Sequence, residues 1–357
     1  MPTPALQDAL LLWFAENGRL LPWRRTYLPY HIWISEIMLQ QTQMDRVVVY
    51  FNRWLDRFPD IAGLAGAPEQ EALRLWEGLG YYSRAKNILK TADLLCSRHD
   101  AALPEDHAAL LQLPGIGRYT AGAIMSLAFN RSHPIVDANV ERLFSRLFNL
   151  DAPVKEKRTQ AFIWRKAAEL IPEGRARFFN QAIMELGALL CLPRSPRCNA
   201  CPIRGHCESL ARGVVSERPV AGIAKEISPI TMVSGVLRHQ GKIYIQKRLP
   251  DNLWPNLWEF PGGQLKEDET PEEALVRGYG EQTGFAIHGL EKITTIQHSF
   301  TRYRVTLHCY HCKLRDNRTE PALHAAQECR WADPDELEDF AFPAPQRSLI
   351  NRIMKET

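Results

Sequence analysis

Apolar residues recur at three- and four-residue spacing through Trp33–Gln43, Glu69–Trp76, Arg84–Cys96 and Phe178–Leu190. That is the period of helices that each bury one face. Glycine and proline punctuate the pattern at Asp60–Gly66, Leu113–Gly117 and Ile171–Gly174, so residues 1–213 read as an all-helical domain. The stretch 214–228 (VVSERPVAGIAKEIS) has no clear period and reads as a linker. Beyond it the texture changes to β-rich and alternating runs at Thr231–Leu237, Ile243–Lys247, Lys292–Phe300 and Tyr303–His311. Pro271–Thr283 stands among them as one helix. Residues 229–357 therefore form a second domain of α/β or α+β type, and 357 residues suit two cores better than one. No internal repeat or low-complexity tract is evident.

Composition changes this picture little. Hydrophobic residues make up 45% and charged residues 24%, as in soluble globular proteins. Apolar runs such as Ala9–Ala15 and Val47–Phe51 fall far short of a bilayer span of roughly 20 residues. Met1–Leu12 lacks a basic region ahead of its apolar stretch and reads as a helix start, not a signal peptide. A cytosolic location, nucleoid-associated in a bacterium, is the simplest expectation, with no membrane partner. The net charge of +3 divides unevenly: residues 1–226 hold 28 Lys+Arg against 23 Asp+Glu (+5), and residues 227–357 hold 16 against 18 (−2). The excess in the first part permits nucleic-acid binding without demanding it.

Eight cysteines in such a chain do not suggest disulfides. Four of them, Cys191, Cys198, Cys201 and Cys207, form C-x6-C-x2-C-x5-C within one short loop. Four soft thiolates select zinc or an iron–sulfur cluster. Arg194, Arg197 and Arg204 lie among them, either as phosphate contacts or as solvated loop charges. Cys309 and Cys312 form another C-x2-C near Cys329, but on a strand and without a fourth ligand. They read as buried thiols.

Leu110–Ser126 (LLQLPGIGRYTAGAIMS) reads as helix, Pro-Gly-Ile-Gly turn, helix. Gly115 and Gly117 let backbone amides approach an anion, which holds a phosphate without reading sequence. Asp137 follows 20 residues after Gly117, in HPIVDANVERLF. The Leu-Pro-Gly-Ile-Gly turn, Asp137 in Val-Asp-Ala-Asn-Val and the four-cysteine loop, in this order and spacing, resemble the helix–hairpin–helix DNA glycosylase superfamily. The resemblance covers residues from about 19 to 213, and its closest match in pattern is the MutY-type adenine glycosylase family. It implies a 4Fe–4S centre in the cysteine loop and double-stranded DNA as partner, with adenine opposite 8-oxoguanine or guanine as the target and a monomer acting on it.

Breaking a C–N glycosidic bond needs a proton for the departing base and a carboxylate beside an oxocarbenium-like sugar. By the resemblance, Glu36 in IWISEIMLQQTQ is the acid, and its apolar neighbours are expected to raise its pKa. Asp137 stabilises the sugar cation with Asn139 in support, helix N-capping being its plain alternative. The family usually shows glycine where this chain has Ala138. Strand-cutting relatives carry a Schiff-base lysine at the position of Tyr119, so a monofunctional glycosylase is expected, and the resemblance implies that Tyr119 supports the sugar-cation chemistry. Gln41 and Tyr81 match the wedge residues that fill the gap left by an extruded base. Leu21 and Trp23 match the adenine pocket, with Arg19 and Arg24 as polar or phosphate contacts. Glu185 matches a supporting acid, its plain alternative being a helix-surface position.

In the second domain, Gly263-x5-Glu269-x7-Arg277 begins like a Nudix box. Two of the glutamates expected next are absent, at Gly278 and Gln282, which leaves Glu281 and a poor metal site. MutY-type enzymes carry such a degenerate Nudix-like domain as an 8-oxoguanine reader. Phe300, Thr301 and Arg302 match its reading segment, except that Arg302 replaces the usual histidine. The competing readings are a pyrimidine-directed glycosylase, which generally lacks the appended domain, a nucleotide pyrophosphatase, and a non-catalytic DNA-binding or redox-sensing scaffold.

Overall fold

The computed structural model describes residues 4–222, 227–252, 254–300, 303–316 and 319–355. Its helices are α1 (Pro4–Asn17), α2 (Pro22–Thr26), α3 (Pro29–Leu39), α4 (Met44–Arg57), α5 (Ile61–Leu64), α6 (Glu69–Trp76), α7 (Ser83–Arg98) and α8 (His107–Leu111). They continue with α9 (Arg118–Ala123), α10 (Ala138–Leu147), α11 (Lys157–Glu169), α12 (Ala176–Leu189), α13 (Glu208–Ala211), α14 (Pro271–Thr283) and α15 (Ala344–Ile353). Their starts follow the sequence. Proline occupies the first turn of α2, α3, α14 and α15, where its missing N–H costs nothing. Asp60, Asp106 and Asp137 cap α5, α8 and α10 by accepting backbone N–H bonds.

Two compact units result: Met1–Ala67 with Asn87–Ala224, and Pro68–Lys86 with Lys225–Thr357. The division after residue 224 falls inside the stretch expected as a linker. The grouping of 68–86 with the C-terminal unit has no signature in hydrophobic periodicity, because side-chain hydrogen bonds and ion pairs make it.

In the helical unit, Leu6 and Leu10 of α1 pack with Val140 and Phe144 of α10, Ile163 of α11, and Phe179 and Leu186 of α12. Helix α3 is buried on every side, from Tyr30 and Ile32 to Ile37 and Met38, and it carries Ser35 and Glu36 into the interior with it. It ends at Leu39, short of the expected Gln43, because Gln40 is extended and Gln41 turns left-handed at φ 63°.

The C-terminal unit is built on strands β1 (Ser228–His239), β2 (Lys242–Arg248), β3 (Trp258–Glu259), β4 (Gly262–Gln264), β5 (Ile287–Phe300), β6 (Tyr303–Leu314) and β7 (Ala326–Ala332). Their order is β3-β2-β1-β6-β5, with β4 also on β1 and β7 also on β2. β1 and β6 run parallel and the other pairs antiparallel. Alternate residues serve opposite faces. Val236, Ile243 and Ile245 meet Leu349 and Ile353 of α15, whereas Leu237 and Tyr244 meet Leu275 and Tyr279 of α14. Cys309 and Cys312 are both buried, on opposite faces of the sheet.

The Nudix-type corner is closed by the box residues that remain and by Gln282. Arg277 donates to both oxygens of Glu269, at 2.6 and 2.7 Å, and to Glu281 at 3.0 Å. Gln282 is bonded to the Gly262 carbonyl and accepts from Gln246 at 2.7 Å. A Cβ at position 278 would stand 2.4 Å from the Gly262 carbonyl oxygen, so the missing glutamate has no room to return. Gly278→Ala is therefore expected to destabilise the C-terminal unit by about 1–3 kcal/mol, the usual cost of overpacking. Thermal unfolding measures it; an unchanged midpoint would mean that α14 and β4 separate freely.

Candidate active site

Burial of α3 leaves the Glu36 carboxyl only 3% exposed, with few groups to satisfy it. Tyr119, from the first turn of α9, donates its hydroxyl to Glu36 Oε2 at 2.5 Å. Burial raises the Glu36 pKa to about 7; the Tyr119 hydrogen bond and the Arg24 charge pull it down, and the Asp137 charge pushes it further up. The same surroundings push the Tyr119 hydroxyl well above its ordinary range, so it remains a donor. The structure therefore places Tyr119 on the acid.

Asp137 caps α10 and is also oriented by it. Its Oδ1 accepts from the Val140 N–H at 2.7 Å, and its Oδ2 accepts from Asn139 Nδ2 at 2.8 Å. Burial raises its pKa, and these bonds with the Arg142 charge oppose the rise. Capping and a site role are compatible here, because each oxygen has its own partner. Asn139 in turn accepts at Oδ1 from Arg142 Nη2, 2.9 Å away, and Arg142 Nε donates to the Cys191 carbonyl at 2.7 Å. The sequence reading missed Arg142. Its signal was the spacing of Asn139, Arg142 and Arg146, which shares one helix face.

Glu185 on α12 is 1% exposed, which excludes a surface position. Arg19 Nε and Nη2 donate to its Oε2, each at 2.8 Å, and Arg24 Nη1 to its Oε1 at 2.5 Å. Both arginines are thus held by this acid, which fastens the N-terminal arm to α12. Between them Leu21 and Trp23 are buried, and the Trp23 ring meets Phe51 edge-on at 5.1 Å.

The hairpin between α8 and α9 is anchored by buried Leu113 and Ile116, while Gly115 and Gly117 are exposed. Gly115 sits at φ 77° against Asn87, where a Cβ would come within 2.8 Å of the Asn87 Cβ. A Cβ at Gly117 would meet nothing, so its smallness serves the open side of the turn. Gln41 and Tyr81 are also exposed, at left-handed turns with φ 63° and 47°. Tyr81 belongs to the 68–86 segment of the C-terminal unit. Thr301, Arg302 and the side chain of Phe300 lie outside the described residues.

The four cysteines line one pocket with Leu143, Leu147, Leu190 and Ile203. Among the described residues no three His, Cys, Asp or Glu side chains close on a single ion. Four thiols in one pocket are the donor set that zinc or an iron–sulfur cluster takes. Burial, with mutual repulsion, pushes Cys201 up to about 11. Arg194, Arg197 and Arg204 are exposed.

Residues 34–169 match the HhH-GPD superfamily of base excision DNA repair proteins, and residues 232–352 match the NUDIX domain. A solved thermostable thymine-DNA glycosylase superposes with TM-score 0.54 at 28% identity, covering 58% of this chain and 95% of its own. The protein is thus a DNA N-glycosylase of base excision repair with a Nudix-like domain appended. Adenine DNA glycosylase of Buchnera aphidicola from Acyrthosiphon pisum is 33% identical over 97% of both chains. The Homo sapiens adenine DNA glycosylase is 38% identical over 97% of this chain and 73% of its own. The chain belongs to the adenine DNA glycosylase family.

The raised Glu36 pKa has a consequence for stability. Between about 4.5, the unfolded value, and about 7, the folded state holds a proton that the unfolded state has released. The contribution of Glu36 is thus present below 4.5 and lost as pH rises through 7. Glu36→Gln, which stays neutral, is expected to raise the thermal midpoint at pH 8 and to change it little at pH 4.5. An equal shift at both values would refute the elevated pKa.

Proposed function

We propose that this protein is a monofunctional adenine glycosylase acting as a monomer on adenine paired with 8-oxoguanine or guanine in duplex DNA of the cytosol or nucleoid. The observation that carries this reading is the buried Glu36 carboxyl with a pKa near neutrality, bonded to Tyr119 and within the electrostatic reach of Asp137.

A purine leaves readily only if its ring nitrogen is protonated, which needs an acid that still holds its proton near pH 7. Glu36 meets that need and protonates N7 of the extruded adenine. The C–N bond lengthens as its electrons pass to the base, and positive charge builds on the sugar. Asp137, kept in place by Val140 and Asn139, faces that charge as a carboxylate. Water, deprotonated by Glu36, then completes the hydrolysis. Leu21 and Trp23 form the apolar side of the adenine pocket, with Arg19, Arg24 and Glu185 beneath it. Gly115 and Gly117 present amides to the DNA backbone, Gln41 and Tyr81 fill the vacated stack, and Phe300, Thr301 and Arg302 read the opposite base.

Cys191, Cys198, Cys201 and Cys207 would hold a 4Fe–4S cluster, whose bonds to sulfur staple the loop at the end of α12 without entering the excision chemistry.

Single-turnover excision with adenine opposite 8-oxoguanine, guanine and cytosine tests the reading. The rate is expected to fall above about pH 7 as Glu36 ionises, and to fall again at acidic pH as the Asp137 carboxylate takes up a proton. Glu36→Gln should lose about 100-fold or more, the usual share of a general acid. Retention of excision by that variant would overturn the assignment. Borohydride should trap little enzyme on DNA, because position 119 offers no amine. Purified protein should carry about four irons per chain, and Cys198→Ser should lose them.

A further inference from the structure

Residues 77–82 form a turn with both ends tied to one stretch of the C-terminal domain. At its start, Glu77 accepts from Arg347 through both oxygens, the Nη2 bond being 3.0 Å long, and Oε2 also takes the Phe342 N–H at 3.0 Å. At its end, the buried Tyr82 donates its hydroxyl to the Phe342 carbonyl at 3.0 Å. One residue, Phe342, thus binds the turn on either side through its two peptide groups. Arg347 is fixed in its turn by the carbonyls of Leu337 and Phe340, at 3.1 and 2.5 Å. The pair is well shielded, with side-chain exposures of 19% and 12%.

Between these anchors the chain has little freedom. Gly78, Gly80 and Tyr81 all have positive φ, at 97°, 70° and 47°. Arg84 donates to the Leu79 and Gly80 carbonyls, each at 3.0 Å, and its guanidinium lies 5.4 Å from the Tyr81 ring centroid. Tyr81 itself is 42% exposed at the apex. Tyr81 is thus a large aromatic held in a left-handed backbone conformation on the surface.

We propose that Glu77 and Arg347 are positioning residues that mount the Tyr81 wedge on the C-terminal domain, so that the rate of wedge insertion depends on this ion pair. This rests on the wedge reading given above for Tyr81. A bidentate arginine–carboxylate pair is both strong and directional, so its loss loosens the turn without removing the ring that stacks.

Wedge insertion is observable apart from chemistry. In a duplex carrying adenine opposite 8-oxoguanine, 2-aminopurine placed beside the mispair brightens when it is unstacked. Stopped-flow mixing with wild-type protein should give a rise that precedes excision, and Tyr81→Ala should abolish it. Glu77→Gln and Arg347→Lys should each slow the rise about tenfold, as expected for weakening one charge-assisted bidentate contact. Adding Glu77→Gln to Tyr81→Ala should slow excision no further than Tyr81→Ala does alone. A merely structural role would lower the thermal midpoint and leave the rise of the folded protein unchanged. An unaltered rise in both single variants, or effects that multiply in the double variant, would overturn the proposal; Arg347→Lys keeps the test available should Glu77→Gln fold poorly. If wild-type protein excises no adenine from any duplex, the catalytic reading falls, while the fluorescence arm still decides the mount.

Discussion

A carboxyl group removed from water is the constraint from which the site is built. Helix α3 is apolar on every side because it crosses the middle of the helical unit, and it takes Glu36 along. Water would stabilise the ionised form, so its exclusion keeps the proton on. The surroundings then limit how far this goes. A neutral donor, Tyr119, offers one short hydrogen bond, and Arg24 contributes at a distance while its own guanidinium is bound to Glu185. Had Arg24 paired directly with Glu36, the proton would be lost near pH 7. Glu185 therefore fastens the N-terminal arm and holds the Arg24 guanidinium in an ion pair of its own.

The second carboxyl has more support. Asp137 is also largely withdrawn from solvent, which raises its pKa too, but each of its oxygens accepts a hydrogen bond and Arg142 opposes the rise. The two acids thus receive different surroundings. Through Asn139 and Arg142 the same network reaches the Cys191 carbonyl, so the geometry of Asp137 and that of the cysteine loop are mechanically joined.

Much of this was legible in the sequence, and the reasons differ from residue to residue. Periodicity located the two textures, and α14 spans Pro271–Thr283 as read from the sequence. Short strands such as β3 and β4 were invisible because two or three residues have no period. Glu36 and Asp137 stood out by resemblance, yet the partner of Tyr119 did not, since a hydrogen bond across 83 positions leaves no local trace. Arg142 did not stand out, since its partners Cys191 and Gly187 lie 49 and 45 residues away. The membership of 68–86 in the C-terminal unit was hidden for the same reason: Glu77 and Arg347 lie 270 residues apart.

The corner of the Nudix-like domain is held by an ion-pair network. Arg277 spans Glu269 and Glu281, and its charge is covalently part of the chain. A tethered guanidinium cannot be stripped by a chelator or exchanged for a competing metal. The pairing that holds this corner consequently does not depend on the magnesium supply of its surroundings.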